Sequence, residues 1–310
     1  MTDRVVLVGL GNISSPHLRA LEGITSVRDV VGVDTSPHAT ATFRGAHLRI
    51  HTDLPDALCS GADLVVIATP TASHAAVVDA VRTLDHAVPI LLEKPAADRP
   101  EDAERVLVAS PGVEMIFHSG FAPEVVWATA FYAAARQRLG DTVAFEAWFG
   151  NPYAQDLASR TASLANSWLD SGINALSIIS RFTIPTAVTS FRQLEGHAST
   201  FEARFALGSS DPRQMGTIVT TWQAAEYSQW TRLRFSGGAE LVLDHIAGAA
   251  TLLEDGAVTA MYTRPDVGAR LDRHYANFYG DYFGDRRLRY PAEAGRELHA
   301  LLFSVMGRLT

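Results

Sequence analysis

One lysine stands out among the residues of this chain that could carry out chemistry. Of the 26 lysine and arginine residues in the sequence, Lys94 is the only lysine. Most surface positions accept either lysine or arginine. A position that is lysine in a sequence so biased toward arginine therefore indicates a chemical role that a guanidinium group cannot perform. An ammonium group is compact, and its pKa can fall enough for it to share a proton with a reacting oxygen. The alternative is a surface lysine that persists by chance.

A glycine-rich turn near the N-terminus has the pattern of a phosphate-binding loop. The apolar run at residues 4–9 predicts a strand, which leads directly into Gly9-Leu10-Gly11-Asn12-Ile13-Ser14. Gly9 permits a tight turn, and Gly11 lets a pyrophosphate approach the backbone where the next helix begins, beside Asn12 and Ile13. Ser14 replaces the third glycine of the usual pattern but is small enough for close helix–strand packing. These residues therefore predict a dinucleotide-binding turn.

An acidic residue follows the second predicted strand. The apolar run at residues 30–33 ends in Asp34, 23 residues after Gly11. A carboxylate at this position accepts hydrogen bonds from the adenosine ribose and repels a 2′-phosphate, so it favours NAD over NADP as the cofactor. The alternative is that Asp34 only closes the turn Asp-Thr-Ser-Pro.

Three further apolar runs, at residues 62–68, 89–92 and 113–117, are also followed by polar residues. Short strands that alternate with helical stretches predict a parallel, doubly wound sheet, and such sheets bind ligands at the carboxyl ends of their strands. The residues expected at those ends are Thr69, Pro70, His74, Glu93, Lys94 and His118. For His74, a role as a polar residue in the first turn of a helix is an equally good explanation.

The composition argues against several classes of protein. The net charge of −8 argues against a nucleic-acid partner, because phosphates call for a basic surface. No apolar run approaches the roughly 20 residues of a membrane helix. With no signal peptide and a lone cysteine, Cys59, we expect a cytoplasmic protein without disulfides, in which Cys59 is a small buried residue. No cluster of His and Cys has the spacing of a zinc site, so no metal is expected.

Three of these segments together resemble a known family. Gly9-x-Gly11, VVIATPTASH at residues 65–74 and LLEKP at residues 91–95 are similar to the glucose–fructose oxidoreductase/inositol dehydrogenase (Gfo/Idh/MocA) family. Glu93-Lys94-Pro95 is the most specific element of the resemblance. It implies that Lys94 points at the substrate beside the nicotinamide of a bound NAD(P), in agreement with the lysine count.

A second signature of this family, roughly D-x-G-x-H-x-x-D, matches Asp170-Ser171-Gly172-Ile173-Asn174. A helix beginning here places Asp170 and Asn174 on one face, one turn apart. Gly172 is expected to leave room for the nicotinamide ring or the substrate. Asn174 stands where the family usually has histidine, and an amide cannot act as a general base. For Asp170 the alternative is a helix N-cap.

This variant of the signature, together with His118-Ser119, resembles a branch of the family with bacterial L-arabinose and D-galactose 1-dehydrogenases. The resemblance continues through residues 222–230 and makes Trp222 a candidate for the substrate pocket. It implies that the anomeric carbon of a cyclic sugar is oxidised to a lactone. Residues 151–168 carry no recognisable sugar-contact pattern, so the identity of the sugar stays open.

The sequence pattern changes after residue 120. A predicted helix at residues 123–139 is followed by alternating runs at residues 143–149, 198–206, 216–223, 230–236 and 239–244. Such runs predict a large, mainly antiparallel sheet with one open face. We therefore expect an α/β protein, with an N-terminal Rossmann domain (doubly wound parallel sheet, residues 1–120) and a C-terminal α+β domain (open sheet, residues 121–310). The resemblance implies a homodimer or homotetramer formed through that open face.

These patterns predict an NAD(P)-dependent oxidoreductase that acts on CH–OH groups of a sugar or sugar-like substrate. The predicted catalytic residues are Lys94, Asp170 and Asn174. In this hypothesis Lys94 and Asp170 flank the reacting oxygen and one of them removes its proton, while Asn174 and His118 orient substrate hydroxyls. Three alternatives stay open: a ketone or imine reductase in a biosynthetic pathway, an NAD-dependent glycosidase, and a non-catalytic cofactor-sensing regulator.

Overall fold

The chain folds into two compact units. The computed structural model describes residues 3–39, 48–110, 112–194, 199–208, 214–265, 269–285 and 292–305. The first unit consists of Met1–Phe117 with Leu271–His299, and the second consists of His118–Arg270 with Ala300–Thr310. Residues 271–299, which we expected in the second domain, therefore pack in the first unit. A bidentate ion pair joins Asp272 to Arg19 of this unit, with N–O distances of 2.8 and 2.6 Å.

The first unit contains a six-stranded sheet in which all neighbouring strands are parallel. Its order is β3-β2-β1-β4-β5-β6, and the strands are β1 (Asp3–Val8), β2 (Val27–Val33), β3 (Arg49–His51), β4 (Leu64–Ile67), β5 (Ile90–Glu93) and β6 (Val113–Ile116). The order reverses between β1 and β4, where doubly wound sheets bind dinucleotides. The predicted Rossmann sheet is confirmed. The edge strand β3 was not predicted, since three residues are too few to form a pattern.

Helices connect these strands and complete the first unit. They are α1 (Ser14–Glu22), α2 (Leu54–Leu58), α3 (His74–Leu84) and α4 (Pro100–Glu104), which continues as a π-helical segment (Arg105–Ala109). The C-terminal helix α8 (Arg270–Asp285), from Leu271 onward, and α9 (Ala292–Phe303), as far as His299, also belong to this unit. The expectation that Cys59 is buried was wrong, because it follows α2 at the surface with its thiol against the Asp56 carbonyl.

The second unit contains an eight-stranded sheet in the order β14-β13-β12-β11-β7-β10-β9-β8. Its strands are β7 (Thr142–Pro152), β8 (Ala187–Gln193), β9 (Thr200–Ala206), β10 (Met215–Thr221), β11 (Gln223–Phe235), β12 (Glu240–Asp244), β13 (Ala249–Glu254) and β14 (Ala257–Thr263). Among the described strands, β7 and β10 form the one parallel pair, so the predicted mainly antiparallel sheet is confirmed. Residue 198 of a predicted run lies outside the described residues.

Alternating burial shows which face of the second sheet packs inward. In β7, Phe145, Ala147 and Phe149 are buried, whereas the intervening Glu146 and Trp148 are partly exposed. This period of two is the pattern of a strand with one covered face and one accessible face. The covered face carries the core of the second unit.

Between residues 118 and 194, the described part of the second unit contains three α-helices. They are α5 (Pro123–Leu139), α6 (Leu157–Leu164) and α7 (Ile173–Ile179), which directly follows a π-helical turn (Trp168–Gly172). Within the described parts of the chain, no helix combines the length and the hydropathy that crossing a membrane requires.

A pair of glycine substitutions tests how this structure packs. A Cβ on Gly216 in β10 would lie 2.0 Å from the ring of Phe145, its neighbour in β7, whereas a Cβ on Gly280 in α8 would meet nothing within 4 Å. We predict that Gly216→Ala lowers the free energy of unfolding by about 1–3 kcal/mol through overpacking. Gly280→Ala should raise it by up to about 1 kcal/mol through helix propensity. Urea denaturation measures both, and equal midpoints for the two variants would contradict the packing.

Candidate active site

The turn after β1 requires glycine at one position and leaves space at another. Gly9 has a φ of +96°, and a Cβ there would lie 2.7 Å from backbone atoms of Ala68 and Thr69. Only glycine fits this position. A Cβ on Gly11 would meet nothing within 4 Å, and Gly11 and Asn12 are exposed. The turn is therefore tight at Gly9 and open at Gly11, as phosphate binding requires.

The N-terminus of α1 lies directly beyond this opening. No side chain caps the helix at Ile13, which is partly exposed. Ser14 is buried, and its hydroxyl donates to the Gly11 carbonyl at 2.6 Å, so it holds the turn from within. Unsatisfied amides and the helix dipole at such a terminus favour an anion. The residues present therefore fit the pyrophosphate of a dinucleotide.

Asp34 closes the local turn, as one of its two predicted roles requires, and it also contacts the glycine-rich turn. Its Oδ1 accepts from the Ser36 amide at 2.7 Å, which closes the local turn, and its Oδ2 accepts from the Leu10 amide at 2.7 Å. The carboxylate thus ties the end of β2 to the glycine-rich turn. Each carboxylate oxygen can accept more than one hydrogen bond, so acceptor capacity remains for ribose hydroxyls.

His74 links two loops at the carboxyl edge of the first sheet. Its buried ring places Nε2 2.9 Å from the Thr69 carbonyl and Nδ1 2.9 Å from the Pro95 carbonyl. Burial lowers the pKa of the His74 imidazole, against the opposing effect of these carbonyls. Pro70 beside it is exposed. His74 therefore joins the segment after β4 to the segment after β5, and a contact with the cofactor stays a prediction.

Glu93, the last residue of β5, is the centre of a buried hydrogen-bond network. Its Oε1 accepts from the Tyr275 hydroxyl at 2.5 Å and lies 3.1 Å from His17 Nε2, while its Oε2 accepts from the Lys94 amide at 3.2 Å. His17 Nδ1 lies 2.7 Å from the Tyr279 hydroxyl. Burial, and then the charge of Glu93, raise the pKa of Tyr275 well above its usual range. The network fixes the backbone from which the half-buried Lys94 projects.

His299 holds the same loop from α9, and sequence reasoning missed it. The Ala96 amide donates to its Nε2 at 2.8 Å, and its Nδ1 lies 2.7 Å from the Gly295 carbonyl. The proton must therefore be on Nδ1. Burial lowers the pKa of His299 to about 4. No sequence signal pointed to it, because 203 residues separate it from Ala96.

In the second unit, Asp170 lies within the π-helical turn rather than at a helix N-cap. Asn166 has the capping role, since its side-chain oxygen accepts from the Leu169 amide at 2.9 Å. The expectation that Gly172 leaves room for a ligand was wrong, because a Cβ there would lie 2.8 Å from the ring of Trp168. π-Helical turns often occur at functional sites, where they change the direction of a side chain.

The buried polar atoms without a hydrogen-bond partner among the described residues include two that belong to candidate site residues of this unit, Asn174 Oδ1 and Trp222 Nε1. Asn174 uses its amide nitrogen to contact the Asp170 backbone carbonyl at 3.2 Å. Tyr153 packs against Trp222, with ring centroids 6.1 Å apart. Burial raises the pKa of Tyr153, as do its hydrogen bond with Tyr227 and the charge of Asp170. Sequence reasoning missed Tyr153, which lies in the segment without a recognisable pattern.

The remaining predicted substrate residue, His118, opens the second unit. It lies in a 3₁₀ turn (His118–Phe121), is buried, and has Nδ1 3.4 Å from the Ser119 hydroxyl. Within the second unit, Asn174 contacts the Asp170 backbone carbonyl and Tyr153 packs against Trp222, while the charge of Asp170 contributes to the raised pKa of Tyr153.

Comparison with known proteins finds similarity to one family in the N-terminal part of the chain. Residues 4–121 match the Gfo/Idh/MocA model, described as an oxidoreductase family with an NAD-binding Rossmann fold. Inositol 2-dehydrogenase 1 of Saccharopolyspora erythraea is 33% identical over 112 residues, which are 34% of this chain and 33% of that relative. The match thus spans about a third of the relative's length. Residues 4–121 are thus similar to the Gfo/Idh/MocA oxidoreductases, in agreement with the Rossmann topology of the sheet in the first unit.

Solved structures extend the similarity of fold to the whole chain. A myo-inositol dehydrogenase from Corynebacterium glutamicum has a TM-score of 0.75 at 16% identity, covering 100% of this chain and 97% of its own. An oxidoreductase from Agrobacterium radiobacter, in complex with NAD+, L-tartaric acid and magnesium, has a TM-score of 0.79 at 13% identity, covering 97% and 94%. These matches do not single out the aldose 1-dehydrogenase branch, which stays a prediction.

The two glycines of the turn should separate folding from cofactor binding. We predict that Gly9→Ala lowers the free energy of unfolding by about 1–3 kcal/mol, because of its positive φ and backbone clash. Gly11→Ala should leave stability within about 0.5 kcal/mol of wild type but weaken NAD binding at least tenfold, or about 1.4 kcal/mol. Thermal unfolding and titration with NADH fluorescence measure the two effects. Tight NAD binding by Gly11→Ala would contradict the phosphate site.

The buried His299 predicts a pH-dependent stability. The pKa of His299 is about 4 when folded, and an unfolded histidine has a pKa of about 6.5, so the unfolded chain binds more protons between these values. Stability is therefore lost as the pH falls through this window, by at most about 1.4 kcal/mol per pH unit. His299→Gln keeps a donor and an acceptor but does not titrate. Urea denaturation at pH 7, 6 and 5 should give a shallower loss for the variant, and parallel curves would contradict this role.

Proposed function

We propose that the protein is an NAD-dependent dehydrogenase that acts on the CH–OH group of a sugar or sugar-like substrate. The observation that carries the proposal is the position of Lys94. The one lysine of the sequence follows β5 at the carboxyl edge of the sheet. The glycine-rich turn after β1 and Thr69 after β4 lie at the same edge, where doubly wound sheets bind their ligands.

The cofactor assignment rests on Asp34 and on the open turn at Gly11. A bound NAD supplies the hydride acceptor for oxidation of an alcohol. Asp34 supports NAD rather than NADP, because a carboxylate would repel a 2′-phosphate. The predicted contacts at Asn12, Ile13 and Thr69 are part of this proposal.

Oxidation of an alcohol also requires removal of a proton from the hydroxyl oxygen. Asn174 cannot accept that proton, since an amide is not a base at physiological pH. Asp170 in the second unit and Lys94 in the first are the candidates for the base, and the other would polarise the oxygen through its charge. Asn174 and His118 would orient substrate hydroxyls.

The substrate class is supported by two unpartnered polar atoms of candidate site residues in the second unit, Asn174 Oδ1 and Trp222 Nε1. Asn174 Oδ1 is an acceptor and Trp222 Nε1 is a donor, and leaving either unpaired costs about 1–3 kcal/mol. A hydroxyl both donates and accepts, so vicinal hydroxyls of a polyol satisfy both atoms. Within this class we propose an aldose 1-dehydrogenase that forms a lactone.

Other activities on this fold would leave distinct signs. A ketone or imine reductase would consume NADH with a carbonyl or imine substrate, and an NAD-dependent glycosidase would hydrolyse a glycoside without net NADH. A regulator would bind NAD without turnover. The predicted homodimer or homotetramer would form through the accessible face of the second sheet, in the cytoplasm.

The first experiment follows reduced-nicotinamide absorbance with purified protein, NAD or NADP, and aldoses that include L-arabinose and D-galactose. We expect NADH with at least one sugar, and a loss of kcat of about 10²–10⁴-fold in Lys94→Ala, the usual range for a general acid or base. Lys94→Arg is the matched control that keeps the charge, and it should recover little activity. Wild-type turnover in Lys94→Ala would overturn the role of Lys94. Tight NAD binding without turnover across the panel would overturn the sugar assignment.

A further inference from the structure

A chain of hydrogen bonds in the second unit runs from a guanidinium to Asp170. Arg270 donates from its Nη1 to Gln229 Oε1 at 2.8 Å, and Gln229 Nε2 lies 2.7 Å from Asn151 Oδ1. Asn151 Nδ2 lies 3.0 Å from the Ser171 hydroxyl, which in turn lies 3.4 Å from Asp170 Oδ2. These side chains come from four different elements: α8, β11, β7 and the π-helical turn.

Arg270 fixes the direction of every donor in this chain. A guanidinium can only donate, so Gln229 must turn its oxygen toward Arg270 and its amide nitrogen toward Asn151. Asn151 therefore accepts with its oxygen and donates with its nitrogen to the Ser171 hydroxyl. That hydroxyl, having accepted from Asn151, donates its own proton to Asp170. Each bond thus determines the orientation of the next.

The surroundings strengthen such a chain. Asn151, Ser171 and Asp170 are all buried, with exposed fractions of 3%, 1% and 9%. Hydrogen bonds away from water polarise one another when their donors point in the same direction. Burial lowers the pKa of Arg270, and the charge of Glu124 is the largest effect in the opposite direction. Arginine nevertheless stays protonated in proteins, so the guanidinium is a fixed source of positive potential at one end of the chain.

We propose that Gln229 and Asn151 are positioning residues that orient the Asp170 carboxylate through Ser171, with Arg270 setting the direction of the chain. The proposal rests on the proposed function, in which Asp170 contacts the substrate. A carboxylate held at one oxygen keeps a fixed plane, so the geometry with which it meets a substrate hydroxyl is set before binding. A misaligned carboxylate slows the chemical step more than it weakens binding.

Gln229→Glu is the variant that distinguishes this role from simple packing. The new carboxylate still accepts from Arg270, and it has the size of the amide. Because it cannot donate, Asn151 must turn its nitrogen toward residue 229 and its oxygen toward Ser171. The Ser171 hydroxyl then donates to Asn151 and not to Asp170. The other hydrogen bonds of the chain are kept, and only the bond from the Ser171 hydroxyl to Asp170 is lost.

Steady-state kinetics of Ser171→Ala, Gln229→Glu and the double variant test this reversal of hydrogen-bond direction. Each single variant should lower kcat about tenfold, with KM within about twofold and an unfolding midpoint close to wild type. The double variant should be no slower than the slower single variant, because both changes remove the same hydrogen bond. Gln193→Glu on β8, an exposed glutamine outside the chain, controls for the added charge and should keep wild-type kcat. Multiplicative losses in the double variant, or wild-type kcat in Gln229→Glu, would overturn the proposal.

A second readout does not depend on turnover, so it separates failure of this inference from failure of the proposed function. In protein labelled with ¹⁵N at glutamine and asparagine side chains, Asp170→Asn should shift the Gln229 side-chain amide resonance, because it changes the acceptor at the end of the chain. The same substitution should leave that resonance unchanged in a Ser171→Ala background. A Gln229 resonance that does not respond to Asp170→Asn in otherwise wild-type protein would overturn the proposal, whether or not the protein oxidises any sugar of the panel.

Discussion

The buried carboxylate of Glu93 is the constraint on which the arrangement of the first unit depends. An ionised carboxylate that is removed from water without partners costs several kcal/mol, so the groups around it must remain in place. Because the carboxylate only accepts, His17 must donate to it from Nε2, and His17 Nδ1 lies 2.7 Å from the Tyr279 hydroxyl. α1, α8 and the end of β5 are thereby fixed to one another. The dinucleotide-binding turn and the lysine-bearing loop are built on that frame.

In the second unit the corresponding frame is made of a π-helical turn and the side chain of Trp168. Trp168 donates from Nε1 to the Leu302 carbonyl at 2.9 Å and covers Gly172, so the turn cannot shift without opening a cavity. Asn166 caps the start of the turn. The turn therefore carries Asp170 in a fixed backbone position, and the Oδ1 atom of Asn174, whose amide nitrogen contacts the Asp170 carbonyl, has no hydrogen-bond partner. Rigid support beside unsatisfied polar groups is the arrangement expected of a ligand site.

Much of the fold was predictable because it depends on short-range patterns. The strands β1, β2, β4, β5 and β6 are buried runs with turn residues after them, and their alternation with helices determines a parallel sheet. The strands of the second sheet were predicted less accurately from the sequence. Gln223, for example, was assigned to the end of one run but begins the long strand β11. One residue of turn between β10 and β11 leaves no break in the pattern.

The sequence by itself determined the glycine-rich turn, the acidic residue after β2, the single lysine after β5 and the Asp170–Asn174 pair. Each depends on residue type and local spacing, which constrain the backbone directly. Only the tertiary structure decided which distant side chains support them. His299 reaches Ala96, Arg270 reaches Gln229, and Gly172 makes space for Trp168 rather than for a ligand. These partners are determined by packing and by the requirement that buried polar groups form hydrogen bonds. Neither condition produces a local pattern in the sequence, so these partners could not be predicted from it.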